Sequence, residues 1–94
     1  MHTLNASPSG AAFSDCLRLI TEADSLLLLG DAVYGAINGS RARQALDNSG
    51  AAIFVLRDDA ILAGVATQLQ GATLVDMDGF VELTEKYPRQ LAWY

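Results

Sequence analysis

Along the chain, short unbroken apolar runs alternate with stretches of helical spacing. Leu26–Leu29 is one unbroken run, closed by Gly30-Asp31, and Ala51–Leu56 is a second. Runs of this length bounded by turn residues fit strands covered on both faces, as in parallel sheets. Shorter strand candidates are His2-Thr3-Leu4 and Thr73–Asp76. Between them, Phe13, Cys16, Leu17 and Ile20 recur at i, i+3, i+4 and i+7, which predicts a helix over Ala11–Thr21 with one apolar face. Either Ser9 or Ser14 is placed to cap it. Asp31 is a natural cap for a helix over Ala32–Ile37, and Ser40 for one over Arg41–Leu46. Arg57-Asp58-Asp59 leads a short helix, Ala60–Ala63, stopped by Gly64. Asp78 is placed to cap the last helix, Gly79–Tyr87, where Phe80, Leu83 and Tyr87 form the apolar stripe before Pro88.

Strands and helices therefore alternate strictly. That order predicts one α/β domain over residues 1–94, a three-layer sandwich with a mostly parallel sheet of four or five strands and helices on both faces. The βα unit Ser25–Ala36 is its centre, because open α/β sheets place functional groups at the carboxyl ends of their strands. The terminal stretch Gln90–Tyr94 (QLAWY) is apolar and aromatic, which is unusual for a free end.

Composition adds an expectation about assembly. Hydrophobic residues make up 51% of the 94 residues. A chain this short buries only about 60–65% of the surface it exposes unfolded. Some of the apolar excess is therefore expected in interfaces, and an obligate oligomer is predicted.

Charge narrows the partners. The net charge is -5, and the six cations Arg18, Arg41, Arg43, Arg57, Lys86 and Arg89 are scattered. Nucleic-acid binders carry a basic stripe, so direct binding of tRNA or DNA is not expected. The chain opens without a signal-peptide pattern, and its apolar runs fall far short of the ~20 residues of a membrane helix. It reads as cytoplasmic, with no membrane partner. The single cysteine allows no internal disulfide.

Candidate chemistry is sparse. The spacing Gly35-Ala-Ile-Asn-Gly39 lacks the lysine and strand context of a phosphate loop. One His, one Cys and acids without ligand spacing offer no metal site, and no cofactor is called for. His2 reads as a strand residue satisfied by a local hydrogen bond. Asp58-Asp59 reads as a solvated helix start. Cys16 is the one side chain able to form a covalent intermediate. Its functional reading is a persulfide carrier, which requires thiolate character and access. Its structural reading is a small apolar residue packed with Phe13, Leu17 and Ile20.

Taken in order, His2-Thr3-Leu4 with Ser7-Pro8, Cys16-Leu17-Arg18-Leu19, Leu26–Leu29 with Asp31, Val33, Tyr34 and Ala36, and the Gly39-Ser40-Arg41 turn form a familiar series. Val55-Leu56 with Asp58, Ala63-Gly64, Leu74-Val75-Asp76, Phe80-Val81, Leu83-Thr84 and the ending Gln90-Leu91-Ala92-Trp93 continue it. The whole chain resembles the TusB/DsrH family, the small subunit of DsrE/DsrF-like sulfur-relay complexes. The resemblance implies a flavodoxin-like α/β fold and a heterohexamer with TusC/DsrF-like and TusD/DsrE-like subunits. In one branch such complexes pass persulfide sulfur from a TusA-type donor to a TusE-type acceptor, for 2-thiolation of wobble uridine in tRNA. In the other they serve sulfur oxidation and hand sulfur to a DsrC-type carrier. The principal sulfur-carrying cysteine belongs to the TusD/DsrE-like partner. Cys16 falls where DsrH-type sequences carry cysteine and enteric TusB sequences carry leucine. Ala63-Gly64 stands where relatives often show Arg-Gly, so that loop lacks a cation. Under this resemblance Gly30 and Asp31 form a turn or helix cap. Val33, Tyr34, Leu91, Trp93 and Tyr94 are then the expected interface residues.

Overall fold

The computed structural model describes residues 1–93, and Tyr94 lies outside the described residues. Five strands, β1 (His2–Leu4), β2 (Ser25–Leu28), β3 (Ala52–Leu56), β4 (Thr73–Val75) and β5 (Leu91–Trp93), all pair in parallel in the order β4-β3-β2-β1-β5. The helices are α1 (Ala11–Leu19), α2 (Arg41–Asn48), α3 (Arg57–Leu62) and α4 (Met77–Lys86), with 3-10 helices at Gly30–Ala36 and Ala66–Gln68. This is the α/β sandwich that strict alternation predicts. The leucine run is its middle strand: all four residues of β2 are buried.

Alternation along β2 sends its side chains to two different layers. Leu26 and Leu28 join Leu4, Phe13, Cys16, Ile20, Val33, Leu46 and Val55 in one buried cluster under α1, the first 3-10 helix and α2. Leu27, equally buried, belongs to the other face. There Phe80 of α4 meets Thr3, Leu29 and Ala92 around a cleft of about 280 Å³. No residue of α4 is fully buried.

The terminal tail resolves as β5. Its residues pair with β1 in the register His2↔Leu91, Thr3↔Ala92 and Leu4↔Trp93. Leu91 N–H donates to the Met1 carbonyl at 3.1 Å, and Asn5 N–H donates to the Trp93 carbonyl at 3.3 Å. Trp93 Nε1–H donates to His2 Nδ1 at 3.1 Å, with the two rings stacked at 6.3 Å. The apolar tail is thus an edge strand, and His2 is satisfied across it by Trp93, 91 residues away, in place of the local partner expected of it.

Three predicted caps are corrected. Neither Ser9 nor Ser14 caps α1; Gly10 occupies the cap position, and no side chain bonds there. Ser9 instead engages Ser7 through both its hydroxyl and its N–H, so this turn satisfies itself. The residue capping α4 is Asp76, whose carboxylate accepts from Gly79 N–H at 2.7 Å; Asp78 lies inside the helix. Asp31 does not cap the 3-10 helix, which starts from Leu29 without a side-chain acceptor of its own. Ser40 does cap α2, accepting from Arg43 N–H at 3.1 Å.

Gly35 has a packing explanation. A Cβ there would lie 2.5 Å from the Phe13 ring. The residue is small so that the 3-10 helix can lie directly on α1.

Candidate functional site

Because all strands are parallel, their carboxyl ends share one rim of the sheet, where the β2 and β3 loops meet. Gly30 makes the turn after β2 with φ of 55°, a left-handed conformation that favours glycine. Its N–H donates to Asp59 Oδ2 at 2.8 Å. The carboxylate that fastens this turn therefore comes from α3, 29 residues on. One carboxylate of the Asp58-Asp59 pair is in this way a tertiary link rather than a solvated helix start. Beside it, Arg57 reaches Asp76 at 3.9 Å and ties the end of β3 to the end of β4.

Gly30, Asp31, Tyr34, Asp59, Leu62 and Ala63 line a shallow cleft of about 220 Å³ at this rim. Of the residues singled out in the sequence, this brings together Gly30, Asp31 and Tyr34. Tyr34 is 44% exposed and Leu62 is 86% exposed. Val33 is corrected as an interface residue: its side chain is fully buried in the chain's own core. The 3-10 helix turns adjacent residues to different sides, and only Tyr34 reaches the surface. Leu91 is 50% exposed on β5, and Trp93 is half-buried against the core.

Cys16 is elsewhere. It sits past the first turn of α1, is fully buried, and belongs to the main apolar cluster. Burial, with a smaller contribution from the Asp24 carboxylate, pushes its thiol from the ordinary 9.0 up to about 11. At neutral pH the group is a protonated filler of the apolar cluster. The cleft itself is lined by no thiol, imidazole or cation. Among the described residues, no group of three His, Cys, Asp or Glu side chains is arranged to hold a metal ion. What the rim offers is apolar contact flanked by carboxylate.

Sequence reasoning missed two residues that shape this region. Arg43, nearly buried, donates to the Ala36 carbonyl at 2.6 Å, to Asn38 Oδ1 at 3.3 Å, to Asp47 Oδ1 at 3.0 Å and to the Gln70 carbonyl. It locks the end of the first 3-10 helix, α2 and the loop before β4 together. Only the Asp47 pairing, at i+4, has a sequence signal. Leu62 had a signal in the run Ala60-Ile61-Leu62-Ala63, which holds more apolar residues than a six-residue helix buries on one face.

A family model described as "DsrH like protein" matches residues 6–90. Protein TusB of Escherichia coli strain K12 is 40% identical over 94 residues, covering 99% of each chain. Proteins TusB of Shigella sonnei and Escherichia fergusonii are each 39% identical over the same span. A full-length match at this identity, on an all-parallel α/β sandwich, places the chain in the TusB/DsrH family.

Proposed function

We propose that this chain is a non-catalytic subunit of a cytoplasmic sulfur-relay complex that supports 2-thiolation of wobble uridine in tRNA. In this reading it assembles with TusC/DsrF-like and TusD/DsrE-like subunits, in a heterohexamer, and the partner cysteine carries the sulfur on its way to a TusE/DsrC-like carrier. The observation that carries the proposal is the state of Cys16 within a chain of this family. The only thiol is fully buried with its ionisation pushed up to about 11. A persulfide relay works through an accessible thiolate, so this subunit's contribution is surface and not sulfur.

The cations support the absence of a direct tRNA contact. Arg18 pairs with Asp15, Arg43 is spent internally, and Arg57 pairs with Asp76. What remains is too little for the phosphate neutralisation that drives nucleic-acid binding. No helix of the described residues is long and apolar enough to cross a membrane.

The test is reconstitution. The chain is co-expressed with its TusC-like and TusD-like neighbours, and the purified complex is loaded with persulfide from a TusA-type donor. Cys16→Ala is expected to co-purify and to pass sulfur to a TusE-type acceptor at the wild-type rate. An extra sulfur mapped on Cys16 by mass spectrometry, or a collapse of transfer in Cys16→Ala with the complex intact, refutes the non-catalytic role. Transfer to a DsrC-type carrier in place of the TusE-type one moves the chain to the sulfur-oxidation branch.

A further inference from the structure

The carboxyl-end rim is unusual for a surface the chain keeps to itself. Leu62, the last residue of α3, is 86% exposed, its neighbour Ile61 is 58% exposed, and Tyr34 lines the same cleft as Leu62. A solvated helix end normally carries charge, and here α3 has its charges only in the first turn, at Arg57, Asp58 and Asp59. The charges around the cleft are of one sign. Asp31 and Asp59 line it, and no basic side chain does. The nearest cation along the chain, Arg57, is turned to Asp76. Asp59 uses Oδ2 on the Gly30 N–H, which fixes its orientation. Asp31 makes no ion pair with the described residues.

We infer that the Tyr34–Leu62 cleft is the docking site for a basic, apolar-tipped segment of a partner protein: an apolar side chain seated between Tyr34 and Leu62, with a neighbouring arginine or lysine on Asp31 and Asp59. The proposal rests on the reading of the chain as a subunit, and it names which face is used and what the partner brings. Charge complementarity decides against a second copy of this chain on the same face. A two-fold contact would set Asp31 and Asp59 of one copy against the same carboxylates of the other, in an arrangement that repels. Apolar contact supplies the affinity, and the carboxylates supply register and a salt-dependent association rate.

The experiment measures assembly of the full chain with its co-expressed relay subunits, by size exclusion and by titration of the labelled chain at 50 and 500 mM salt. Leu62→Glu is expected to weaken assembly at least tenfold while leaving the melting temperature unchanged, because the residue is exposed. Asp31→Lys is expected to weaken it several-fold and to flatten its salt dependence. Ala45→Glu, at an exposed position on α2 away from the cleft, serves as the control and is expected to assemble normally. Wild-type assembly by both cleft variants overturns this site and leaves the subunit reading standing. Failure of the wild-type chain to bind the relay subunits overturns the subunit reading itself, and this site with it. A homodimer dissolved by Leu62→Glu overturns the basic partner and gives the face to a second copy.

Discussion

The two faces of the sheet are built differently. On one, Leu4, Leu26, Leu28 and Val55 pack against Phe13, Cys16 and Val33 with no fully exposed member, and Arg43 closes the layer with four hydrogen-bonded contacts. On the other, Leu27 is buried, but α4 above it buries no residue fully and leaves Met77 and Val81 more than half exposed. A chain of this size has apolar material for one dry layer, and the second is only partly covered. The lesson is a division of labour. One face carries the buried core, and the exposed apolar side chains lie mostly on the other face, at the rim and on the β5 edge, with Leu19 of α1 the exception.

The same deletion made on each face is the strongest way to break this comparison. Phe13→Ala is expected to destabilise the chain by about 4 kcal/mol, since it empties a site pressed between α1 and Gly35. Phe80→Ala, on α4, is expected to lower stability by about 1 kcal/mol, because that ring is already partly hydrated. Urea unfolding of the two variants reads the difference, and equal losses end the distinction between the faces.

Arg43→Ala comes next, at about 3 kcal/mol, because it leaves the Ala36 and Gln70 carbonyls without their buried donor. Arg43→Lys is expected to recover little, since one ammonium does not span four separate acceptors. Full recovery by lysine in the same unfolding assay makes Arg43 a simple charge and not a fork.

Cys16 sharpens the comparison through pH. Its native ionisation lies near 11 against an ordinary 9.0, so well below pH 9 both folded and unfolded chains hold the proton and its ionisation has no effect on stability. Between pH 9 and 11 the unfolded chain ionises first and stability falls, by at most about 2–3 kcal/mol. The difference between wild-type and Cys16→Ala profiles isolates the thiol. A flat difference, or rapid alkylation of Cys16 at pH 7.5 in the folded chain, contradicts its burial. The smallest effect belongs to Asp76→Ala, about 1 kcal/mol for a lost cap. Hydrogen exchange is expected to show that loss mainly in α4, the loosely held helix.

The sandwich was legible because its signal is local. The leucine run, the helical spacing of Phe13, Cys16 and Ile20, and the turn residues between them each state a period, and strict alternation limits the topology. Family membership was legible for the same reason, as an ordered series of short motifs along the whole length. The caps were less legible. Around Ser7–Ser14 and Asp76–Asp78 several side chains stand within reach of a helix start, and one- or two-residue shifts decide which is used. Val33 and Tyr34 show the limit at its narrowest. Neighbours in sequence, they part company because a 3-10 helix lies on the core with one of them beneath it.

For the opening unit Ser25–Ala36, sequence determined the buried strand, the glycine turn and the change of direction after it. Tertiary structure alone decided what holds that turn and which side chains stand beside it. The carboxylate on Gly30 comes from Asp59, 29 residues away, and the cleft forms only when α3 brings Asp59 and Leu62 beside Gly30 and Tyr34. The tail Leu91–Trp93 became a strand only because β1 had a free edge to pair with. Periodicity is a property of neighbours along the chain, whereas a site is a property of neighbours in space. Cys16 follows the same rule: its place in the sequence names a thiol, and only the packing of α1 sets that thiol away from water.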